Sequence, residues 1–267
     1  MNGGTLSDHV HYPYVHPDHG NILFWHCRAR VSGDPTRRKH FWYLTADPEF
    51  PGRWAKASKE HPGPVARPCL YNLPILQSAV RKRWDVPVLW AEGEKDARTA
   101  NLSMGVRVAV SHHGGAGHAT EEQAEHFRGY RGPVIVAADR DDAGAACALK
   151  RYRLLRKVGV RPTLVRPADG VLAGGGGCGV GVVCECEPVC PPPAQAWRGA
   201  DLSDHEAAGY GLRDLVRVRP RDLAPAAERS AARQQHGWAY GDAEEREQAR
   251  NSPLVRDGAP WARKRSA

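Results

Sequence analysis

The sequence predicts an α/β protein in which a small β-rich unit precedes a layer of parallel strands and helices. Two observations support this prediction. Residues 10–45 contain aromatic and β-branched runs around the turn-forming segments PDHGN and SGDP, a pattern typical of antiparallel strands or a hairpin. From residue 86 to 167, four short apolar runs alternate with segments rich in Ala, Glu, Gln, Arg and Lys, which indicates a parallel sheet covered by helices on both faces.

The apolar runs of the second region predict four strands joined by three helices. The runs are VPVLWA, VRVAVS, PVIVAA and PTLVRP. The intervening helices are expected at about 94–104, 120–130 and 143–157. The order is therefore β-α-β-α-β-α-β with right-handed crossovers, which gives a four-stranded parallel sheet. A further helix is expected before this region, where Leu73, Leu76 and Val80 recur at helical spacing.

Composition divides the chain into five segments. Residues 1–85 are the small β-rich unit with its linking helix, and residues 86–168 are the α/β domain. Residues 169–200 are a Gly-, Pro- and Cys-rich insertion in which no helix or strand pattern persists. Residues 201–216 are expected to form a closing helix element. Residues 217–267 are charged and poor in large apolar side chains, which predicts a disordered tail or a marginal helix.

The charge balance favours a polyanionic partner. The chain has 38 Lys and Arg against 30 Asp and Glu, a net charge of +8 and a pI near 9.3, which suits nucleic acid. No run of 18 apolar residues and no signal-like leader is seen, so no membrane contact is expected and the protein is expected in the cytoplasm. Seven cysteines without a regular framework fit reduced thiols.

Carboxylates follow two of the predicted strands at the point where each strand ends. Asp139 ends the third strand and Asp141 lies two residues on, so in extended backbone both side chains face a common point. Glu92 ends the first strand. Because the carboxyl ends of parallel strands meet at one edge of a sheet, the three carboxylates are expected to converge. Close carboxylates raise one pKa or attract a cation, and oxygen ligands suit Mg²⁺ or Mn²⁺.

Such a site suits phosphoryl or nucleotidyl transfer, with Glu92 as general base or general acid. The alternative is that these acids cap helices or interact with helix dipoles. That alternative is favoured for Asp96 and Asp142. For Asp139 and Asp141 a cap accounts for at most one residue, so a metal site is favoured.

The ordered set WAEGEKDA, GGAG at 114–117 and AADRDDAG resembles the TOPRIM domain shared by bacterial and phage primases, topoisomerases and some nucleases. The chain is most similar to primases and primase-helicases of phages, plasmids and integrated elements. In those proteins a later D-x-S-D element follows, found here as Asp201, Ser203 and Asp204. The segments YPYVHPDHGNILFWHCR and LYNLPILQSAV are similar to the part that precedes TOPRIM. The resemblance spans about residues 10–216.

The resemblance implies a Rossmann-like TOPRIM domain and a Mg²⁺-dependent, primase-like nucleotidyltransferase that copies single-stranded DNA in phage or mobile-element replication. Glu92 would be the catalytic acidic residue, and Glu92, Asp139 and Asp141 would bind the metal. The implied partners are the template strand, nucleotides and a replicative helicase. A TOPRIM nuclease and a non-catalytic DNA-binding accessory factor are the alternatives. The sequence departs from the family because no zinc-ribbon cysteine pair precedes residue 86 and no G-x4-G-K-[ST] phosphate loop occurs.

Two further groups of residues are candidates for binding nucleic acid or phosphate. Backbone N–H groups are expected to approach a phosphate or a substrate strand at Gly114, Gly115 and Gly117. The segment TRRKH supplies Arg37, Arg38 and Lys39. The aromatic residues near it are Trp25, Phe41, Trp42 and Tyr43. These aromatics are either platforms for single-stranded nucleic acid or the core of the small unit, and the sequence favours neither.

The remaining candidates are expected to be structural or solvated. The cysteines at 178, 184, 186 and 190 have a spacing that matches no ordinary zinc knuckle, so a zinc site is not favoured. Solvated loop positions are favoured for His112, His113 and His118. The outside of the third helix is the expected position of Arg151, Arg153, Arg156 and Lys157.

Overall fold

Two β-sheets organise the protein. The structure is a computed structural model that describes residues 6–31, 39–47, 49–57, 69–113, 117–169 and 200–235. The first sheet is antiparallel, with strand order β1-β2-β3-β4. Its strands are β1 (Leu6–Val15), β2 (Ile22–Val31), β3 (Lys39–Ala46) and β4 (Trp54–Lys56). They lie in the part of the sequence that was expected to be β-rich.

The second sheet has six strands in the order β10-β9-β8-β6-β7-β5. They are β5 (Leu70–Tyr71), β6 (Val88–Trp90), β7 (Val108–His112), β8 (Val134–Ala137), β9 (Pro162–Arg166) and β10 (Val216–Val218). Strands β6 to β9 pair in parallel, whereas β5 and β10 add to the two edges antiparallel. The prediction of a four-stranded, wholly parallel sheet is therefore corrected to a six-stranded mixed sheet. Edge strands of two or three residues are too short to show a periodic pattern.

The described helices lie between these strands and after them. They are α1 (Leu73–Arg81), α2 (Glu94–Leu102), α3 (Glu121–Glu125), α4 (Asp142–Lys157), α5 (Leu202–Ala207) and α6 (Pro220–Gln235). Helix α3 is shorter than expected because Phe127 N and Arg128 N donate to the carbonyls three residues earlier, which tightens the chain into turns. Residues 212–214 form a 3-10 helix.

Of the two alternatives predicted for residues 217–267, a disordered tail and a marginal helix, the structure shows a helix in the first part. Strand β10 begins at Val216, and α6 occupies residues 220–235. Leu223 is buried against the core of the six-stranded sheet, so the start of α6 belongs to the folded unit that extends to Ala227. Residues 170–199 of the predicted insertion, which hold its four cysteines, lie outside the described residues.

Apolar side chains cover both faces of the six-stranded sheet. On one face Trp90 stacks on Phe127 with ring centroids 5.0 Å apart, among residues of α1 and α4. On the other face Leu89 packs with Ala97 of α2 and Leu202 of α5. Strands buried on both faces must be apolar at successive positions, which explains the continuous apolar runs in the sequence. Among the described helices, none is long and apolar enough to cross a membrane.

The chain reverses its direction of winding between β6 and β8. From β6 the chain passes through α2 to β7 on one side, and from β8 it passes through α4 to β9 on the other side. Because β6 and β8 are neighbours, a crevice opens at their carboxyl ends. Open α/β sheets bind their ligands at this kind of switch point.

Candidate acidic site at the edge of the central sheet

The register of β6 and β8 brings two predicted site residues to the same crevice. Trp90 pairs with Val136 in parallel, and each strand ends within one residue of that pair. Glu92 and Asp139 each lie two residues beyond the end of their strand. Neighbouring strands therefore place these two carboxylates near the switch point, and their role as metal ligands stays a prediction.

The electrostatic surroundings of Asp139 show that other acids share this crevice. Burial raises the pKa of Asp139 well above its usual range, and the negative charges of Glu92, Asp96 and Asp201 raise it further. The charge of Arg151 acts in the opposite direction. A carboxylate surrounded by like charges in a low-dielectric region holds its proton more tightly. We refer to Glu92, Asp96, Asp139 and Asp201 as the acidic site.

Asp96 is a site residue that sequence reasoning assigned to the helix instead. It lies in the first turn of α2 as expected, but it is only 6% exposed. Burial and the charge of Asp201 raise its pKa from 3.8 to about 7, although hydrogen bonds from Ser203 oppose the shift. Ser203 donates to Asp96 Oδ1 from its hydroxyl at 2.7 Å and from its backbone N–H at 3.2 Å. No signal in the sequence distinguishes Asp96 from an ordinary first-turn acid, since Glu92 precedes the N-cap Gly93 and shares no helix with it.

A backbone hydrogen bond between Arg140 and Ala200 holds the neighbouring Asp201 close to the acidic site. The N–H of Arg140, between the two acids of the D-x-D segment, donates to the carbonyl of Ala200 at 3.0 Å. Asp201 is the N-cap of α5, and its Oδ1 accepts from Asp204 N at 2.8 Å. Its Oδ2 lies 3.4 Å from the Nζ atom of Lys95. The D-x-S-D element thus contributes one cap residue that also faces the other carboxylates.

Asp141 has a different role from Asp139. It is the N-cap of α4, and its Oδ1 accepts a hydrogen bond of 2.6 Å from Gly144 N. Its side chain is exposed. The cap explanation therefore applies to Asp141, while Asp139 remains in the crevice and Asp142 lies in the first turn of the helix.

The glycine of the D-x-D-x-A-G segment permits a close approach between α4 and the end of β8. A Cβ atom on Gly144 would lie 2.7 Å from Asp139 Cβ and 2.9 Å from the Asp139 carbonyl oxygen. Both distances are shorter than non-bonded atoms tolerate. Gly144 therefore lets the helix N-terminus pack directly against the backbone that carries Asp139.

Arg151 lies beneath the acidic site, and the prediction that it decorates the outside of the helix is wrong. Its guanidinium is fully buried and donates to the carbonyls of Trp90 at 2.6 Å and Ala137 at 2.8 Å. These carbonyls belong to the last residues of β6 and β8. Arg151 thus joins the two strand ends and places a fixed positive charge near the acids, which lowers the pKa of Asp139 relative to burial alone.

A second buried carboxylate connects the six-stranded sheet to the antiparallel sheet. Glu94, at the start of α2, accepts hydrogen bonds of 2.6 Å from the Tyr14 hydroxyl and 2.6 Å from His26 Nδ1. Burial raises its pKa, but the hydrogen bond and charge of His26 and the hydrogen bond of Tyr14 outweigh burial, so the pKa of Glu94 is lowered. We refer to Tyr14, His26 and Glu94 as the junction. No pattern in the sequence indicates these contacts, because Glu94 is 80 positions from Tyr14 and 68 positions from His26.

The predicted glycine and basic residues are only partly described. Gly117 has a φ of +92°, a conformation that favours glycine, and its carbonyl accepts from Lys150 Nζ at 2.5 Å. Lys39 begins β3. The positions outside the described residues are Gly114, Gly115, Arg37 and Arg38. The phosphate-binding role of these residues stays a prediction.

The histidines after β7 differ from one another. His112 is buried, with its Nε2 3.9 Å from Cys147 Sγ, and His113 packs edge-on against Phe24 and Tyr14. Only His118 is exposed, as a solvated loop residue would be. The solvated-loop prediction is therefore wrong for His112 and His113, which fill space between the two sheets and beneath the rim.

The carboxylate oxygens of the acidic site are the type of ligand that a hard divalent cation prefers, but their positions do not form a complete coordination shell. Within the ranges that the structure describes, no three His, Cys, Asp or Glu side chains are placed so that they would hold a metal ion. The charges of Glu92, Asp96 and Asp201 nevertheless act on Asp139 and raise its pKa in addition to burial. Carboxylate oxygens are the ligands that Mg²⁺ and Mn²⁺ prefer, and a cation relieves repulsion of this kind.

Comparisons with known proteins give matches only among solved structures. No protein family matches the chain, and no curated protein matches it. The zinc-binding and RNA polymerase domains of the Aquifex aeolicus primase match with 20% identity and a TM-score of 0.39, over 59% of this chain and 33% of that chain. A chain from the complex of bacteriophage T7 lagging-strand DNA polymerase with gp4 primase domains, RNA/DNA hybrid and dTTP matches with 15% identity and a TM-score of 0.27. That match covers 54% of this chain and 70% of the other.

Proposed function

We propose that this protein is a primase-like nucleotidyltransferase with a TOPRIM-type acidic site, which joins nucleotides on a single-stranded DNA template. The observation that carries the proposal is the position of Glu92 and Asp139 after neighbouring strands at the switch point of the central sheet, where burial and then the charges of Glu92, Asp96 and Asp201 raise the pKa of Asp139. Strongly perturbed carboxylates in a crevice are typical of functional sites. The order of the E-G, D-x-D-x-A-G and D-x-S-D segments in the sequence supports the same class of reaction.

The proposed reaction joins two nucleotides. A hydroxyl oxygen of the first attacks the α-phosphorus of an incoming nucleoside triphosphate, and the bond from that phosphorus to pyrophosphate breaks. Glu92 takes the proton that the hydroxyl loses. Because no three acidic side chains of the described residues are placed to hold a metal ion together, Mg²⁺ or Mn²⁺ would be held by one or two carboxylates of the acidic site, Glu92 and Asp139 first, with phosphate oxygens of the bound nucleotide. The ion would neutralise phosphate charge.

The other residues of the site keep these groups in place. Arg151 ties the two strand ends together, so that Glu92 and Asp139 start from a fixed separation. Gly144 allows the N-terminus of α4 to lie against Asp139. Ser203 orients the carboxylate of Asp96 through two hydrogen bonds. Preorganised groups of this kind reduce the rearrangement that the reaction requires.

The experiment uses the purified full-length chain, a single-stranded DNA template, labelled ribonucleotides or deoxynucleotides, and Mg²⁺ or Mn²⁺. We expect template-dependent oligomers from the wild type. The variants Glu92→Gln and Asp139→Asn should lose at least about 100-fold in rate, because each removes a charged group that acts on the reacting phosphate. Glu125→Gln is the matched control, since it neutralises an exposed carboxylate on α3 and should leave the rate unchanged.

The same assay discriminates among the alternatives. Cleavage of the template without oligomer synthesis would identify a nuclease that uses the same carboxylates to activate water. Binding of DNA with neither reaction would identify an accessory factor. Oligomer synthesis that survives in both Glu92→Gln and Asp139→Asn would refute the assignment of the acidic site.

A further inference from the structure

The two faces of the antiparallel sheet differ in what they contact. Along its strands successive side chains alternate between faces. The inner face includes Tyr14, Phe24 and His26, which are buried, with Tyr14 and His26 bound to Glu94. The opposite face, which we call the outer face, presents six aromatic or imidazole rings: His9, His11, Trp25, His40, Trp42 and Trp54.

The rings of the outer face form a connected layer across all four strands. Trp42 of β3 lies edge-on to His9 at 5.8 Å and to His11 at 6.4 Å between ring centroids, and both histidines belong to β1. Trp25 of β2 contacts His11 at 6.2 Å and Trp54 of β4 at 6.1 Å. Most of these contacts are edge-to-face, which leaves ring faces available for stacking.

The outer face is open to solvent although it carries three tryptophans. The side chains of His9, His11 and His40 are exposed, Trp54 is 38% exposed, and Trp25 and Trp42 are partly exposed. Contiguous apolar surface that is exposed to solvent is a feature of interaction sites.

The charged residues on and around the outer face indicate which kind of partner it would bind. None of the strand residues 9–15, 22–29, 40–46 and 54–56 is acidic. Lys56, on the same face as Trp54, is exposed, and Arg53 beside it is exposed with its guanidinium 5.0 Å from the ring of Phe50. The loop that carries Arg53 also contains Asp47 and Glu49, so the border has both signs of charge. The layer of rings itself has no acidic residue in the ranges named, and in a chain of net charge +8 it complements a polyanion with flat bases.

We propose that the outer face binds single-stranded nucleic acid by stacking bases on Trp25, Trp42 and Trp54. Every base has a π-face, so stacking of this kind is tolerant of sequence, and the bordering cations contact the phosphates. The inference extends the proposed function, because it assigns a place for the template strand outside the crevice that holds the acidic site.

The structure also resolves which aromatic residues near the TRRKH segment have this role. Trp25 and Trp42 lie on the outer face. Phe41 and Tyr43 lie on the inner face, where both rings stack on His26 with centroids 5.4 Å and 4.8 Å apart. Tyr43 packs against the buried Tyr14 and Phe24, so the core explanation applies to it, whereas Phe41 is 50% exposed and belongs to neither group.

The test measures binding of a fluorescently labelled oligothymidylate to the full-length chain by anisotropy. We expect Trp42→Ala and Trp54→Ala to weaken binding by about five- to 100-fold each, from the range of single-base stacking energies. Trp84→Ala is the matched control, because Trp84 lies after α1 against the guanidinium of Arg107 and away from the outer face. Its affinity should equal that of the wild type.

Photocrosslinking gives a second measurement that does not depend on the folding of any variant. A bromodeoxyuridine oligonucleotide irradiated with the wild-type chain should crosslink to peptides that contain Trp25, Trp42 or Trp54. Folded Trp42→Ala and Trp54→Ala variants that bind like the wild type, or crosslinks confined to other peptides, would overturn the proposal. A dimer of the wild type that dissociates in Trp54→Ala would overturn it as well, since the face would then bind a second copy.

The proposal and the proposed function fail in different ways. Asp139→Asn should retain wild-type affinity for the oligonucleotide while it loses synthesis. If the wild type binds the oligonucleotide through the tryptophans but synthesises nothing, the proposed nucleotidyltransferase function is refuted and the proposed binding site on the outer face is supported. If the wild type synthesises oligomers but the tryptophan variants bind the oligonucleotide as tightly as the wild type, the proposed function is supported and the binding site on the outer face is refuted.

Discussion

Asp139 and Glu94 are two largely enclosed carboxylates in the same part of the molecule, yet their surroundings shift their pKa values in opposite directions. Glu94 has an aromatic hydroxyl and an imidazole as hydrogen-bond donors, and they lower its pKa despite burial. Asp139 faces Glu92, Asp96 and Asp201, and burial together with their charges raises its pKa well above the usual range.

The opposite pKa shifts indicate different roles for the two carboxylates: Glu94 stabilises the fold, whereas Asp139 is placed to bind a ligand. A buried charge with satisfied hydrogen bonds contributes to stability, whereas like charges held together cost stability unless a cation joins them. Proteins accept such a cost mainly at functional sites. The junction and the acidic site should therefore respond oppositely to neutralisation of their carboxylates.

The largest effect is expected at Arg151, whose buried guanidinium lies beneath the acidic site. Replacement of Arg151 by Met removes the hydrogen bonds to Trp90 and Ala137 and leaves the acidic site without its fixed counter-charge. We expect the free energy of unfolding to fall by about 3–6 kcal/mol, because two hydrogen bonds from a charged donor are lost, at about 1.5–3 kcal/mol each. Urea denaturation at neutral pH measures it.

A double-mutant cycle shows how much of that loss is electrostatic. In the Asp139→Asn background the Arg151→Met replacement should cost less than in the wild type, because one of the charges that Arg151 balances is already gone. Equal costs in the two backgrounds would mean that Arg151 acts only through its hydrogen bonds to the strand ends.

A smaller loss is expected at the junction. Glu94→Gln keeps the shape of the side chain and one acceptor oxygen but removes the charge that His26 and Tyr14 bind. We expect a loss of about 1–3 kcal/mol in the free energy of unfolding, the range for hydrogen bonds to charged groups. Because the folded pKa of Glu94 is lowered, its contribution is present above the unfolded pKa and disappears as pH falls through the folded pKa.

Denaturation of wild type and Glu94→Gln at several pH values from acid to neutral checks this prediction. The two proteins should differ most near neutral pH and converge in acid. A difference that is independent of pH would show that the charge of Glu94 does not stabilise the contact between the sheets. Glu125→Gln, on the solvated side of α3, again serves as the control for loss of a carboxylate.

The sequence predicts the parts of this arrangement that repeat along the chain. The apolar runs indicate the strands, because a strand buried on both faces must be apolar at each position. The carboxylates that follow them are expected to lie at one edge, and Glu92 and Asp139 do follow neighbouring strand ends. The short edge strands β5 and β10 leave no periodic trace.

The parts that depend on single distant contacts were beyond sequence reasoning. Arg151 belongs to a run of basic residues on α4, and nothing in that run distinguishes the side chain that turns inward to two carbonyls. Asp96 has the position of an ordinary first-turn acid, and only the approach of α5 brings Asp201 beside it. The junction joins residues of two sheets through one carboxylate. Contacts of this kind are set by packing between elements and have no local signature.

The smallest effect, and the one opposite in sign, is expected at Asp139 itself. Its folded pKa is raised, so its favourable contribution is present below the unfolded pKa and is lost as pH rises through the folded pKa. Asp96, with a folded pKa of about 7, behaves in the same way. Asp139→Asn removes one of the repelling charges, so it should be more stable than the wild type at pH values above the folded pKa of Asp139, and this gain should vanish in acid. Added Mg²⁺ should raise the melting temperature of the wild type and affect Asp139→Asn less. If Asp139→Asn is instead destabilised at every pH, the acidic site is a structural network like the junction, and the contrast between the two carboxylates is lost.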